Sequence, residues 1–220
     1  MFHVEQERQL RDFLVHSAQE LGLSLVQEQI DQFMTYLAQL LQWNKITNLT
    51  AISDPFEIIS KHFIDSLTAL SAMDFPSQAV VIDVGTGAGF PGIPLKIVRK
   101  DLQLVLVEPT QKKCSFLSLV VGLLKLENVS IFPGTLKQYV ARSEFLHGDV
   151  IVIRALRFDE LAEQAEQVLT KLGSVVLYRT KKIGTSSVYH GFTVGSETCF
   201  TLPLNQGDRV ISVMTKPIKA

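Results

Sequence analysis

From Ser77 onward the chain alternates short β-branched and aliphatic runs with stretches of helical apolar spacing. The runs are AVVIDV, LQLVLVE, NVSIF, DVIVIRA and SVVLYRT. The helical stretches between them cover 93–99, 111–125, 135–142 and 158–172, the last stopped by Gly173. Alternation of this kind builds βαβ units, so the expected fold is α/β, with a mostly parallel sheet covered by helices on both faces. Two further runs, YHGFTVGSETCF and DRVISVMTKP, have only a loop between them. They predict a hairpin on one edge of the sheet, with at least one antiparallel strand.

Upstream of this region the texture is helical. SLVQEQIDQFMTYLAQLLQW opens with Ser24 and Gln27 at capping-box spacing, and Val26, Ile30, Phe33, Met34, Leu37, Leu40 and Leu41 form an apolar stripe. DPFEIISKHFIDSLTAL starts again with Asp54 as cap, Pro55 at the first helical position and Glu57 behind it. Between them lies WNKITNLTAI, rich in polar amides. The chain divides into an N-terminal helical cap, 1–75, and an α/β unit, 76–220.

Composition narrows the class. With 220 residues, 46% hydrophobic and 20% charged, the chain is globular and long enough for one ordinary domain with an extension. No apolar run approaches the ~18 residues of a membrane span, and MFHVEQERQLRDF is too charged for a secretory signal. Cys114 and Cys199 match no metal-binding spacing, so reduced thiols in a cytoplasmic protein, with no metal, are expected. A net charge of −1 excludes wholesale coating of nucleic acid but allows a local basic patch.

The first strand runs into VVIDVGTGAGFPGIPLK, with glycines at Gly85, Gly87, Gly89 and Gly92. Ligands of such sheets bind at the carboxyl ends of the strands. A tight turn alone needs one glycine, and this loop has four. A GxGxxG is present at Gly87, Gly89 and Gly92, but it starts beyond the expected strand end, and Pro91 removes a backbone N–H that a pyrophosphate would use. The better description is an acid, Asp83, followed by glycine at every second position. An acid at the mouth of the loop repels a pyrophosphate and suits a ligand with a cationic group, such as the sulfonium of S-adenosylmethionine (SAM). Glu108 ends the next strand, where an α/β nucleoside site places a carboxylate on ribose hydroxyls.

WNKITNLT, KHFIDSL, DVGTGAGFPGIPL, KKCSFL, LKLENV and IRAL occur in an order and at spacings that resemble the RsmG (GidB) family. The resemblance spans about Leu37 to Arg157, and the Phe-Pro-Gly-Ile-Pro continuation of the loop is specific to it. It implies a SAM-dependent methyltransferase with a Rossmann-like, seven-stranded sheet and an N-terminal helical cap. The implied reaction is methylation of N7 of one guanine in 16S ribosomal RNA. The implied SAM contacts are Gly85, Phe90, Leu136, Lys137 and Arg154. The chain departs from the family at Lys137, where an acid is usual, and at YRTKK, where LKG is usual.

The residue types fit that chemistry. Guanine N7 carries a lone pair and no proton, so its methylation needs alignment rather than a base. The fourth strand ends in IVIRAL, with neither the Asn/Asp-Pro-Pro-aromatic run of amine methylation nor the cysteine of cytosine C5 methylation. Arg154 is the residue expected to bear on the reaction, and no catalytic acid or base is assigned. His62 and Asp65 share a helix face and read as a hydrogen-bonded pair that fixes the cap against the loop, with Asn44, Lys45 and Asn48 lining the same cleft. RNA contacts are expected from Lys96, Arg99, Lys100, Lys112, Lys113, Arg157 and the run Arg179 to Lys182, above all Lys181 and Lys182. The expected partner is the small ribosomal subunit or its precursor, bound by a monomer. A nicotinamide-linked oxidoreductase and a non-catalytic SAM-binding module are the competing readings.

Overall fold

The computed structural model describes residues 3–216. Met1 and Phe2 of the charged N-terminal stretch, and Pro217 of the last strand candidate, lie outside the described residues. Five strands form the parallel part of the sheet: β1 (Val80–Val84), β2 (Gln103–Val107), β3 (Val129–Phe132), β4 (Gly148–Arg154) and β5 (Leu169–Arg179), with β1 pairing β2 and β4, β2 pairing β3 and β4 pairing β5. β6 (Val188–Tyr189), β7 (Phe192–Thr201) and β8 (Asp208–Thr215) complete the sheet in the order β3-β2-β1-β4-β5-β8-β7-β6. β8 inserts between β5 and β7, antiparallel to both. The sheet therefore has eight strands where seven were expected, the extra one being the two-residue β6.

Period-two alternation divides the core between the faces. Val81, Leu104, Leu106, Val150, Val152, Val176 and Tyr178 point to one side; Ile82, Val105, Ile151, Ile153, Val175 and Leu177 point to the other. The first side is covered by the cap helices α1 (Val4–Glu20), α2 (Gln27–Thr47), α3 (Pro55–Ile58) and α4 (Asp65–Ala72), together with α5 (Gly92–Val98) and α6 (Gln111–Leu123). The second side carries α7 (Leu136–Val140) and α8 (Ala162–Val168). Cap residues Leu10, Phe33 and Phe63 belong to the same apolar cluster as Val81 and Val152, so the cap helices share their core with the sheet.

Three local expectations change. The box at the start of α2 is built by Gln29, whose Oε1 accepts from Val26 N–H at 3.0 Å, and not by Ser24. Asp54 does cap the next helix, accepting from Glu57 N–H, but the coil then widens into a π-helical turn, Ile59–Ile64, before α4. The helix expected over 158–172 is a short 3₁₀ turn followed by α8, which stops at Val168. Leu169 pairs with Gly148 and buries its side chain under the sheet, so 169–172 extend β5 and Gly173 lies within a strand.

Candidate functional site

The glycine loop joins β1 to α5. Gly85, Gly87 and Gly89 have φ of 68°, 62° and 104°, conformations that L side chains resist. Gly85 N–H and Thr86 N–H both donate to the carbonyl of Val107. Asp83 lies under the loop, not at its mouth. It is fully buried, and its Oδ2 accepts from Thr86 Oγ1 at 2.6 Å and from Gly92 N–H at 2.7 Å. Burial pushes its carboxyl up to about 6, against the pull of those two donors. This corrects the sequence reading: Asp83 shapes the loop from below.

Glu108 is also buried. Its Oε2 accepts from Gly87 N–H at 2.9 Å and its Oε1 from Thr110 N–H at 2.9 Å, so it ties the loop to the end of β2. Each carboxylate oxygen retains further acceptor capacity. Gly134 N–H donates to the carbonyl of Glu108, which brings the start of α7, with buried Leu136 and exposed Lys137, to the same sheet edge.

Phe90 closes the loop and receives four partners. His62 stacks on it at 4.6 Å, Tyr36 lies 5.4 Å away, Phe63 6.0 Å, and the Arg154 guanidinium sits 5.2 Å from its ring centroid. Arg154 Nη1 donates to the carbonyl of Lys61 and to Asp65 Oδ2, both at 3.0 Å; Nη2 faces His62 Nδ1 at 3.3 Å. A guanidinium can only donate, so Nδ1 is the acceptor, and Nε2–H donates to Thr50 Oγ1 at 2.8 Å. Burial, with Arg154 beside it, depresses His62 to about 3, so the imidazole is neutral. The expected direct His62–Asp65 bond is replaced by one through Arg154. Asp65, wholly buried, also accepts from Arg209 Nε and Nη2.

Two cavities share this wall. One, about 170 Å³, lies between Leu49, Thr50 and His62 of the cap and Gly85 to Ala88 and Phe90 of the loop. The other, about 660 Å³, is lined by Lys61, Asp65, Leu156, Arg179, Lys181 and Arg209, among others. His62, Arg154 and Ala155 line both. The floor of the small cavity is bare glycine backbone, and a side chain added at Gly87 would meet nothing closer than 4.0 Å.

Asn44 sits behind this wall rather than in it: Oδ1 accepts from Thr50 N–H at 2.8 Å and shapes the turn that carries Thr50. Lys45 and Asn48 are exposed at the end of α2 and line neither cavity. Lys112 and Lys113 open α6 on the carboxyl edge of the sheet, outside both linings. Arg157 is exposed at the rim and paired with Asp159 and Glu160. Of the late run, Arg179 and Lys181 line the cleft and Lys182 does not.

One group is wrongly placed by the sequence reading. Lys96 is buried, and its Nζ donates to the carbonyls of Lys100 and Leu102. Arg99 pairs with Asp101 and caps the carbonyls of Phe75 and Pro76, while Lys100 pairs with Glu28. These residues cluster at the amino ends of β1 and β2, at the opposite end of the strands from the cleft, and do not line it. The sequence reading missed Tyr36, Thr50, Leu156 and Arg209. Arg209 gave no signal beyond a lone cation at a strand start.

A glycine loop after the first parallel strand, an acid at the end of the second and helices on both faces define a Rossmann-like α/β fold, and the relatives of the chain make it a methyltransferase that uses SAM. The chain belongs to the GidB family, rRNA small subunit methyltransferase G, whose model matches residues 29–195. Ribosomal RNA small subunit methyltransferase G of Oceanobacillus iheyensis is 32% identical over 211 residues, covering 92% of this chain and 89% of that one. That of Lachnoclostridium phytofermentans is 36% identical, covering 77% and 71%. Among solved structures, the fold is similar to MtNAS in complex with MTA and tNA (TM-score 0.54, 15% identity, 94% and 71% covered). It is also similar to precorrin-6y C5,15-methyltransferase from Geobacter metallireducens (TM-score 0.53, 13% identity, 69% and 87% covered).

Proposed function

We propose that this chain methylates N7 of one guanine in 16S ribosomal RNA, with SAM as methyl donor. The observation that carries the reading is the shared wall of the two cavities. On the glycine-loop side the lining suits a nucleoside. On the other side, the cleft holds the cations Lys61, Arg154, Arg179, Lys181 and Arg209 against one carboxylate, Asp65, a surface suited to a polyanion. The relatives' names, which refer to small-subunit ribosomal RNA, favour that RNA as the polyanion.

The chemistry of the wall favours a ring nitrogen. SAM supplies a methyl on a sulfonium. The attacking N7 lone pair forms the new N–C bond, the C–S bond breaks and the sulfur keeps its pair, and no proton leaves the base. Neutral His62 has its Nδ1 turned to Arg154, and both carboxylate oxygens of Asp65 accept from arginines, so the acceptor atoms of both are already engaged within the protein. What the chain contributes is alignment. Gly85 and Gly87 shape the backbone floor, Phe90 closes it, Glu108 remains the candidate for the ribose, and Leu136 and Lys137 flank the same sheet edge. Arg154 stands at the boundary between cofactor and RNA, and Lys112, Lys113, Arg157, Lys181 and Lys182 are candidate RNA contacts. The same reading has the protein act as a monomer in the cytoplasm; sedimentation equilibrium tests the first point. Among the described residues no helix is long and apolar enough to cross a membrane.

The test is incubation with methyl-labelled SAM and either deproteinised 16S RNA or small subunits, followed by reduction and aniline cleavage. Cleavage at a single guanine is expected. Label on adenine N6, cytosine C5 or protein refutes the assignment.

A further inference from the structure

The cations of the cleft differ in how far they are neutralised. Arg154 and Arg209 share Asp65, Lys61 faces Glu57 at 3.4 Å, and Arg157 at the rim is held by Asp159 and Glu160. Arg179, the last residue of β5, has no carboxylate partner among the described residues. Its Nε donates to the carbonyl of Lys181 at 3.2 Å, and no described group accepts from its two terminal nitrogens.

Arg179 is nonetheless held in place. Its guanidinium carbon lies 5.3 Å from the ring centroid of Tyr189. That ring is stacked on Phe158 at 6.0 Å and 17°, and Phe158 is buried against Phe192. Tyr189 owes its position to a two-residue turn: it pairs with Phe192 across His190 and Gly191, whose φ are 48° and 84°. Positive φ at both central residues is the geometry that lets two short strands return on themselves with matching twist. The sequence thus provides a ladder from Phe192 through Phe158 and Tyr189 to Arg179. A guanidinium seated on an aromatic face has already lost much of its rotamer freedom, while its planar fork stays open for a bidentate anion.

We propose that Arg179, seated on Tyr189, is a phosphate subsite of the RNA cleft. It takes the backbone phosphodiester of a nucleotide beside the target base, and Tyr189 is its positioning residue. The inference rests on the RNA-methyltransferase reading above. Its distinguishing feature is that an acid-free arginine lines the cleft while the other arginines there are already paired. A phosphate contact carries no sequence information; it fixes register.

The test is steady-state methylation of 16S RNA or small subunits across a salt titration, with SAM saturating. Arg179→Ala should raise KM for the RNA about tenfold, lower the salt slope by about 0.7, and leave kcat and SAM affinity unchanged. Arg179→Lys keeps the charge but loses the fork, so it should restore the slope and only part of KM. Tyr189→Phe keeps the ring and should match wild type. Tyr189→Leu should raise KM, and should add nothing to Arg179→Ala in the double variant. Wild-type KM and salt slope in Arg179→Ala, in an enzyme whose parent methylates RNA, overturn the subsite alone. A parent that transfers no methyl to RNA overturns the function reading and the subsite with it.

Discussion

Tyr36 donates its hydroxyl to the carbonyl of Ala88 at 2.5 Å, and this bond joins the second cap helix to the crest of the glycine loop. The ring is fully buried, stacked on Phe63 and Phe90. Burial raises the phenol well above its usual range, so it remains a donor at every working pH. The cap therefore sets the position of the loop as well as covering one face of the sheet.

Removing that one oxygen isolates the coupling. Tyr36→Phe keeps the stack and leaves the Ala88 carbonyl unsatisfied, at a cost of about 1–3 kcal/mol. For a chain of this size the melting temperature should fall by several degrees. Because the loop loses its tether, SAM affinity, measured by calorimetry, should fall as well. A loss of stability with unchanged SAM affinity would mean that the bond holds the cap and not the site.

Gly85 offers a sharper probe of the loop. A methyl added there collides with Leu156 and forces an L residue to a φ of 68°, which costs about 1–2 kcal/mol by itself. Gly85→Ala should lose the rise in melting temperature that saturating SAM gives wild type. Leu156 is half exposed and can move, so adding Leu156→Ala should return part of that rise. If the single variant shows the full wild-type rise, the loop does not approach the cofactor.

His62 gives a pH signature. Its folded pKa is depressed from 6.5 to about 3 by burial and by Arg154. Between those values the unfolded chain binds a proton that the folded chain does not. The contribution of this residue to stability is therefore complete above about pH 6.5 and is lost progressively as pH falls toward 3. His62→Gln can still accept from Arg154 and does not titrate. Urea unfolding at several pH values should show a shallower acid-side loss in the variant. Parallel curves for the two proteins would mean that His62 is protonated in the fold.

The periodicity of the chain made the strands and helices legible, because period two and period 3.6 are set by which residues reach the core. It could not resolve what tertiary packing decides. Residues 169–172 look helical, but Leu169 finds its apolar partners by pairing beside Gly148. Asp83 was legible as part of the loop from its place before the glycines. Its role was not, since Thr86 and Gly92 turn it inward. The Arg154–Asp65–Arg209 cluster joins β4, α4 and β8, and no local pattern links segments so far apart. Leu136, Lys137, Lys112, Lys113, Lys181 and Lys182 follow the carboxyl ends of strands, so the sheet edge they share was legible, but which of them touch a ligand depends on side-chain reach.

Lys96 and the pair Lys181–Lys182 separate a structural cation from an RNA-facing one. Lys96 lies between Leu95 and Ile97 on a buried helix and caps two carbonyls; burial lowers its pKa, against the pull of Asp101 and Glu127. Lys96→Met should lower the melting temperature, because the carbonyls of Lys100 and Leu102 lose their donor. It should leave the salt dependence of RNA binding unchanged. Lys181 and Lys182 are exposed where β5 leaves the sheet, and Lys181 lines the cleft. The double variant Lys181→Ala, Lys182→Ala should keep the wild-type melting temperature and SAM affinity. Its log–log salt slope for RNA should fall by about 0.7 for each phosphate contact removed. A wild-type slope in the double variant would exclude that run from the interface, and the RNA-facing cations would then be sought on the cap, around Lys45 and Lys61.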